Sequence, residues 1–156
     1  MRDPKAAILE WWKLVKPGGH LFVVVPDEDL YEQGNFPSLF NADHKATFTL
    51  SKAVSWSPVS HNMFDLACSL PGGEIVSLQL QDRGYDRGLT CFGKKKRPLF
   101  TRVAGRFYYG IAPKFVKERL SWLRLHLAAY HAVDQTEQYG GNAQAQIQLI
   151  VKKSAG

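Results

Sequence analysis

The order of apolar and polar residues predicts three helices that alternate with three strands. A first helix begins at Pro4, after the capping side chain of Asp3. Its apolar residues recur at helical spacing and form one stripe: Ile8, Trp11, Trp12 and Val15. The segment Pro17-Gly18-Gly19 ends this helix. The unbroken apolar run at residues 21–25 then predicts a strand that is buried on both faces.

A second helix and strand follow the same scheme. Ser57-Pro58 is typical of a helix start, and apolar residues at helical spacing come after it: Val59, Met63, Leu66, Ala67 and Leu70. Residues 74–82 then alternate, with Val76, Leu78 and Leu80 on one side, which predicts a strand near a sheet edge. Because strand–helix–strand crossovers are right-handed, this strand is expected to run parallel to the first.

The last third of the chain predicts a long helix and a closing strand. Pro113 opens a helical pattern that continues to residue 133, and residues 143–151 alternate strictly between apolar and polar. Residues 30–50 show no sustained hydrophobic period, which predicts a loop. Four aromatic residues indicate that this loop is packed and not loose: Tyr31, Phe36, Phe40 and Phe48. Residues 84–112 predict a basic loop insertion, in which residues 106–109 could form a short strand.

Composition and charge narrow the class of protein. A chain of 156 residues that is 45% hydrophobic can build one core, so residues 1–156 are taken as a single domain. The net charge of +6 is concentrated at residues 83–106, which indicates either a solvated loop or a nucleic-acid surface. Cys68 and Cys91 lie far apart without a metal-ligand spacing, so neither a metal site nor a disulfide framework is expected.

The location in the cell is predicted from two features that the sequence lacks, a membrane-spanning run and a secretory signal. No apolar run reaches the roughly 20 residues that a membrane-spanning helix needs. The first residues show no apolar core of a secretory signal. We therefore expect a cytoplasmic protein without a membrane partner.

Residues 11–38, WWKLVKPGGHLFVVVPDEDLYEQGNFPS, resemble the later half of a class I S-adenosylmethionine-dependent methyltransferase. In that family a helix, an L-K-P-G-G turn and the fifth strand occur in this order. The segments FNADHKATFTL and AQIQLIVKK, at residues 40–50 and 145–153, extend the resemblance. It implies an α/β fold with a partial Rossmann-like sheet of three strands. The last strand would be antiparallel and lie between the other two, with helices packed on the sheet.

The resemblance also implies that only the acceptor-side half of that fold is present. The family holds its cofactor with a glycine-rich loop after the first strand, whereas Gly18-Gly19 and Gly72-Gly73 precede strands here. We therefore expect methyl transfer to an unknown acceptor in a complete fold, with no tight binding of S-adenosylmethionine and no activity by this chain alone. If one edge of the strand at residues 21–25 has no neighbouring strand, the exposed edge would favour a homo-oligomer.

Candidate site residues cluster just after the first strand. In open α/β sheets, ligands bind beyond the carboxyl ends of the strands, and Asp27, Glu28 and Asp29 lie there. Together with Tyr31 and Glu32 they are expected to bind the acceptor substrate. The alternative is a helix cap with solvated charges.

His44 is the tentative catalytic base, because a histidine titrates near neutral pH and this one has a carboxylate neighbour, Asp43. The alternative is a structural or solvated loop histidine. A different class of function also stays open, namely a non-catalytic interaction module. It would use the strand edge or the basic residues 94–97, the latter for nucleic-acid binding.

Overall fold

A computed structural model of the chain describes residues 3–89, 103–104, 106–120, 134–136 and 142–155. Helix α1 spans Pro4–Leu14, and Asp3 Oδ1 accepts a hydrogen bond from Ala6 N at 3.1 Å at its start. Strand β1 spans His20–Pro26, after the predicted turn. The first helix, the turn and the first strand are therefore where the pattern predicts them.

Short elements and two longer strands make up the rest of the described chain. They are a π-helical turn Glu28–Glu32, strand β2 Thr47–Thr49, strand β3 Ser60–Asn62, helix α2 Met63–Cys68, strand β4 Gly73–Gln81, a 3₁₀ turn Arg87–Leu89, a π-helical turn Arg106–Ile111, helix α3 Lys114–Arg119 and strand β5 Gln146–Lys153.

Strands β1, β5 and β4 form a sheet in that order, with β5 antiparallel to both neighbours. Leu149 sits at the middle of the sheet, opposite Val23 on one side and Leu78 on the other. Since β5 is antiparallel to both, β1 and β4 run parallel to each other. The expected order of the three strands and the direction of the last one are confirmed. The molecule is thus mixed α/β, with a small sheet and few helices.

A second, two-stranded sheet was not predicted. Strand β2 pairs in parallel with β3, and Thr47 lies opposite Ser60. The predicted helix start at Ser57 is wrong, because residues 60–62 are extended to make this pairing. Helix α2 begins later, where Asn62 Oδ1 accepts from Phe64 N at 2.9 Å.

The core lies on one face of the larger sheet. Helices α1 and α2 cover that face. The buried side chains come from both helices, from the turn after α2 and from β5: Ile8, Trp12, Met63, Leu66, Ala67, Leu70, Ile147, Leu149 and Val151. Trp12 Nε1 donates to Pro71 O at 2.9 Å, which ties α1 to the turn before β4. The predicted burial of Met63, Leu66 and the apolar side of β5 is confirmed.

Three burial predictions are wrong. Strand β1 is not buried on both faces, because the core helices cover only the side of Val23, and Phe22 on the other side is 59% exposed. Val76 is exposed because a bulge between Ile75 and Ser77 displaces it, so that Ile75 faces the core instead. Trp11 is 42% exposed, since the buried stripe of α1 passes through Ile8 and Trp12.

The basic region is described only in part. Residues 106–109 are helical in the turn Arg106–Ile111, so the short strand suggested there is wrong. The predicted third helix appears as α3, Lys114–Arg119, and its continuation to residue 133 lies outside the described residues, as do residues 94–97. Within the described chain, no helix has the length and apolar character to span a bilayer.

Candidate functional site

The π-helical turn Glu28–Glu32 stands directly at the carboxyl end of β1 and carries most of the candidate residues. Asp27 opens it: its Oδ1 accepts from Asp29 N at 3.0 Å and from Leu30 N at 3.1 Å. Asp27 N in turn donates to Ala145 O at 2.9 Å, just before β5. The turn is therefore fixed to the sheet through Asp27.

The environment of Asp27 favours its neutral form. Burial raises the pKa of the Asp27 carboxyl above its ordinary value, and the nearby charge of Asp29 acts in the same direction. The hydrogen bonds from Leu30 N and Asp29 N and the charge of Lys52 lower the pKa but do not outweigh the burial. Asp27 is 5% exposed, so this carboxyl is an internal cap rather than a surface charge.

Glu28 is completely buried and is the centre of a polar network. Both of its carboxylate oxygens accept from Ser55 Oγ at 2.8 Å, and Oε2 also accepts from Ser60 Oγ at 2.6 Å. Thr47 Oγ1 donates to Oε2 at 3.2 Å, and Lys52 Nζ donates to Oε1 at 3.3 Å. These donors come from β2, β3 and the loop between them, so Glu28 holds the second sheet against the end of β1.

Lys52 bridges Glu28 to Asp29, with which it also forms an ion pair. Burial by itself lowers the pKa of Lys52, but the hydrogen bonds and charges of Asp29 and Glu28 together raise it above its ordinary value. The ammonium group therefore stays protonated at neutral pH. Asp29 Oδ1 also accepts from Trp56 Nε1 at 3.1 Å.

Glu32 and His44 form a second pair, one helical turn beyond Glu28. His44 Nδ1 lies 2.6 Å from Glu32 Oε1, although the two residues are far apart along the chain. Glu32 is 1% exposed and its other oxygen, Oε2, has no hydrogen-bond partner within the described residues. The His44 ring packs against Tyr31 with 5.2 Å between ring centroids, and Phe40 meets Tyr31 edge-on at 5.7 Å.

This pair has the geometry of a carboxylate that orients an imidazole. A carboxylate only accepts hydrogen bonds, so the short contact places the Nδ1 proton between His44 and Glu32, and in the neutral imidazole Nε2 is then a lone-pair acceptor. Among the described residues, Nε2 has no hydrogen-bond partner. The His44 side chain is 21% exposed, so part of the ring reaches solvent while Glu32 does not.

The structure thus brings the sequence-predicted residues together in two groups. Glu28 and Asp29 meet at Lys52, whereas Glu32 and Tyr31 meet at His44. The residues that sequence reasoning missed are the donors to Glu28: Thr47, Lys52, Ser55 and Ser60. The signal that could have found them is the density of hydroxyl residues in the segment 47–60, TFTLSKAVSWSPVS.

The described residues do not fit S-adenosylmethionine. Strand β1 runs directly into the Asp27 cap, and β4 is followed by the separated glycines Gly84 and Gly88, so within the described residues neither strand leads into closely spaced glycines and a helix. Of the glycines with positive φ, Gly18 and Gly72 precede strands, whereas Gly34 and Gly84 stand singly after the turn Glu28–Glu32 and after β4. Nor do the parts of the chain that the structure describes bring together three histidine, cysteine or carboxylate residues that could hold a metal ion.

Comparisons of the chain with protein-family models, with curated proteins and with solved structures found no match. The function is therefore argued from the two carboxylate groups and from the sheet that carries them.

Proposed function

We propose that the chain is the acceptor-side half of a class I S-adenosylmethionine-dependent methyltransferase. We also propose that it removes the proton that the methyl acceptor loses on methylation. The observation that carries the proposal is the strand order β1-β5-β4 with β5 antiparallel in the middle. This is the order that the resemblance implies for the fifth, seventh and sixth strands of that sheet. The Rossmann-like assignment is part of the same proposal.

The position of the turn Glu28–Glu32 supports the proposal chemically. In open α/β sheets, the crevice beyond the carboxyl ends of parallel strands is where ligands bind, and this turn begins there on β1. The buried Glu32 Oε2 lacks a hydrogen-bond donor within the described residues. A buried carboxylate oxygen without a donor is costly, so an N–H or O–H group of a bound acceptor is a suitable partner for it.

In this proposal His44 is the general base. As a methyl group reaches a nitrogen or oxygen of the acceptor, that atom must lose a proton, and His44 Nε2 takes it. Glu32 holds the Nδ1 proton at 2.6 Å and stabilises the imidazolium that forms, so it is a positioning residue. Because the described residues do not fit the cofactor, the methyl donor would be bound by other residues, and this chain alone is expected to be inactive.

The fold proposal is tested by binding. S-Adenosylhomocysteine is titrated calorimetrically into this chain and into the longest gene product that contains it. Binding by the longer product and none by this chain is expected. A longer product that does not bind the ligand would overturn the methyltransferase proposal.

The role of His44 is tested in the same longer product once an acceptor is known. His44→Ala is expected to lower kcat by about 10²–10⁴-fold, the usual contribution of a general base, with little change in cofactor affinity. His20→Ala is the matched control, since His20 is an exposed histidine at the start of β1. Equal kcat values for the two variants would remove His44 from the mechanism.

A second candidate is a non-catalytic interaction module that uses the edge of β1 that has no strand partner among the described residues. The observation that favours it is the exposure of Phe22 and Val24 on this edge strand, at 59% and 42%. An extended partner segment could add to such an edge by β-augmentation. Binding to nucleic acid through residues 94–97 belongs to the same class of proposal, and loss of binding with rising salt is its signature.

A further inference from the structure

A polar pocket of about 330 Å³ lies beside β2, β3 and the start of α2. Its walls include Lys5 from α1, Thr49 from β2, Ser60 from β3 and Asp65 from α2, together with Lys52 from the loop. Neither Glu32 nor His44 lines it. Its volume is at the lower end of the range for small-molecule sites.

Glu28 determines which hydroxyl groups in this pocket can only accept hydrogen bonds. Ser55 and Ser60 both line it, and both donate their hydroxyl protons to the Glu28 carboxylate. A hydroxyl group has only one proton, so Ser60 Oγ can offer only lone pairs to a molecule in the pocket. Ser55 Oγ already accepts from Ser57 N at 2.9 Å and has one lone pair left.

Lys52 supplies a donor next to these acceptors. Its ammonium group has three N–H bonds, and the structure uses them for Glu28 and Asp29. One N–H bond is therefore available to a ligand. The wall thus presents a fixed donor and fixed acceptors side by side, all held by buried Glu28.

The charges around the pocket nearly balance. Lys52 faces two carboxylates, those of Glu28 and Asp29. The exposed Lys5 and Asp65 also line the pocket, and neither takes part in an ion pair within the described chain. Because the charge of Lys52 is already balanced by Glu28 and Asp29, and Lys5 and Asp65 oppose each other, a phosphate or a free carboxylate would meet no net attraction.

We propose that this pocket binds a small uncharged molecule with several hydroxyl groups. A hydroxyl group both donates and accepts, so one can donate to Ser60 Oγ while another accepts from Lys52 Nζ, and a third can donate to the Asp65 carboxylate. The proposal does not depend on methyl transfer, because the pocket lies apart from His44.

The test uses nuclear magnetic resonance on the full chain labelled with ¹⁵N. The probes are myo-inositol and methyl α-D-glucopyranoside, with inorganic phosphate as the anionic comparison. Both polyols are expected to shift the amide signals of Thr49, Ser60, His61 and Asp65, with dissociation constants on the order of millimolar, about −4 kcal/mol. Phosphate is expected to leave these signals unchanged.

Two pairs of variants locate the site without disturbing Glu28. Ala53→Phe fills the pocket and is expected to abolish the shifts, whereas Ala155→Phe, at an exposed alanine outside it, is expected to keep them. Asp65→Asn is expected to weaken polyol binding about tenfold, the effect of losing one charged hydrogen bond. Glu74→Gln makes the same charge change at an exposed site away from the pocket and is expected to have no effect.

Each result decides the proposal. Pocket-confined shifts that Ala53→Phe removes and Ala155→Phe retains support it. The absence of shifts at the four amides with both polyols overturns it. Shifts caused by phosphate at lower concentration than by the polyols also overturn it, since they would show that the pocket selects an anion.

Discussion

Asp27, Glu28 and Glu32 are three buried carboxylates in one turn, and each is buried in a different way. Asp27 caps backbone amides, Glu28 accepts from side chains on every side, and Glu32 has one oxygen paired and one without a donor in the described chain. Burying a carboxylate costs less as its hydrogen bonds become more complete. The turn therefore contains a structural cap, a structural anchor and one residue whose coordination is incomplete.

Asp27→Asn is expected to stabilise the protein more at neutral pH than at pH 3. The pKa of Asp27 is raised in the folded state, so the stability that its protonated form contributes is present below the unfolded pKa of about 3.9 and is lost as pH rises through the folded pKa. Asparagine keeps the cap and cannot ionise. Urea unfolding at several pH values measures the difference.

The control for this prediction is Asp27→Ala, which removes the cap at every pH. Since neither variant can ionise at this position, Asp27→Ala is expected to be about 1 kcal/mol less stable than Asp27→Asn at every pH. A difference between wild type and Asp27→Asn that does not change from pH 3 to pH 7 would contradict the raised pKa.

Glu28→Gln is expected to lower the free energy of unfolding by about 1–3 kcal/mol, because an amide nitrogen would replace an oxygen that accepts hydroxyl protons. One of the serine hydroxyls would then lose its acceptor inside the protein. Glu10→Gln is the matched control, since Glu10 is exposed and pairs with Lys13, a neighbour on the same helix. Its cost is expected to stay below about 1 kcal/mol. Chemical unfolding of both variants checks the difference, and equal losses would show that Glu28 is not an anchor.

At the scale of secondary-structure elements, helix α1 is held to the fold both by the side chain of Trp12 and by the carbonyl groups at its end. Trp12 packs in the core and donates to Pro71 O, while Lys153 Nζ donates to Trp12 O at 3.0 Å and to Val15 O at 2.9 Å. The last residue of β5 thus binds carbonyl groups at the end of α1. A cation at this end of a helix is also favourable for the helix dipole.

Trp12→Ala is expected to destabilise the protein by about 3–5 kcal/mol, because it leaves a cavity and removes the hydrogen bond to Pro71. Trp11→Ala, one position earlier on the same helix, is expected to cost less than about 1 kcal/mol, since Trp11 is 42% exposed. Thermal unfolding of the pair gives the comparison. A similar loss for both would mean that the exposed face of α1 is covered in solution.

Periodic patterns predicted the long elements and failed at the short ones. The stripe of α1 and the alternation of β5 extend over enough residues to carry a signal, and β5 could be placed between β1 and β4 only through the resemblance. Strands β2 and β3 have three residues each, too few for any period to appear. The bulge at Val76 reverses the alternation of β4 at a point that only the pairing with β5 defines.

The candidate site could be located from the sequence, but its connections could not be predicted. The sequence predicts where β1 ends, so the acidic residues that come directly after it could be placed at the site. The contact between His44 and Glu32, and the hydroxyl donors to Glu28, depend on the path of a loop without periodicity. Such contacts are set by tertiary packing and not by local propensity.

At the scale of the whole molecule, the two edges of the sheet differ. Strand β4 carries a bulge, which twists an edge and hinders pairing with another chain. Strand β1 pairs with β5 without interruption, and its other edge has no strand partner in the described part of the chain. Because Phe22 and Val24 are exposed on β1, this edge is expected to pair more readily with another chain than the edge at β4.

We therefore expect the chain to self-associate through β1 as its concentration rises. Val24→Lys places a charge on that edge and is expected to make the chain monomeric, because charged side chains block edge-to-edge pairing. Val76→Lys is the matched control: Val76 is 54% exposed on the other edge strand, at the bulge, and the variant should associate like the wild type. Sedimentation velocity across a concentration series measures the association. If Val76→Lys abolished association and Val24→Lys did not, the contact would lie on β4, and the proposed interaction surface on β1 would be wrong.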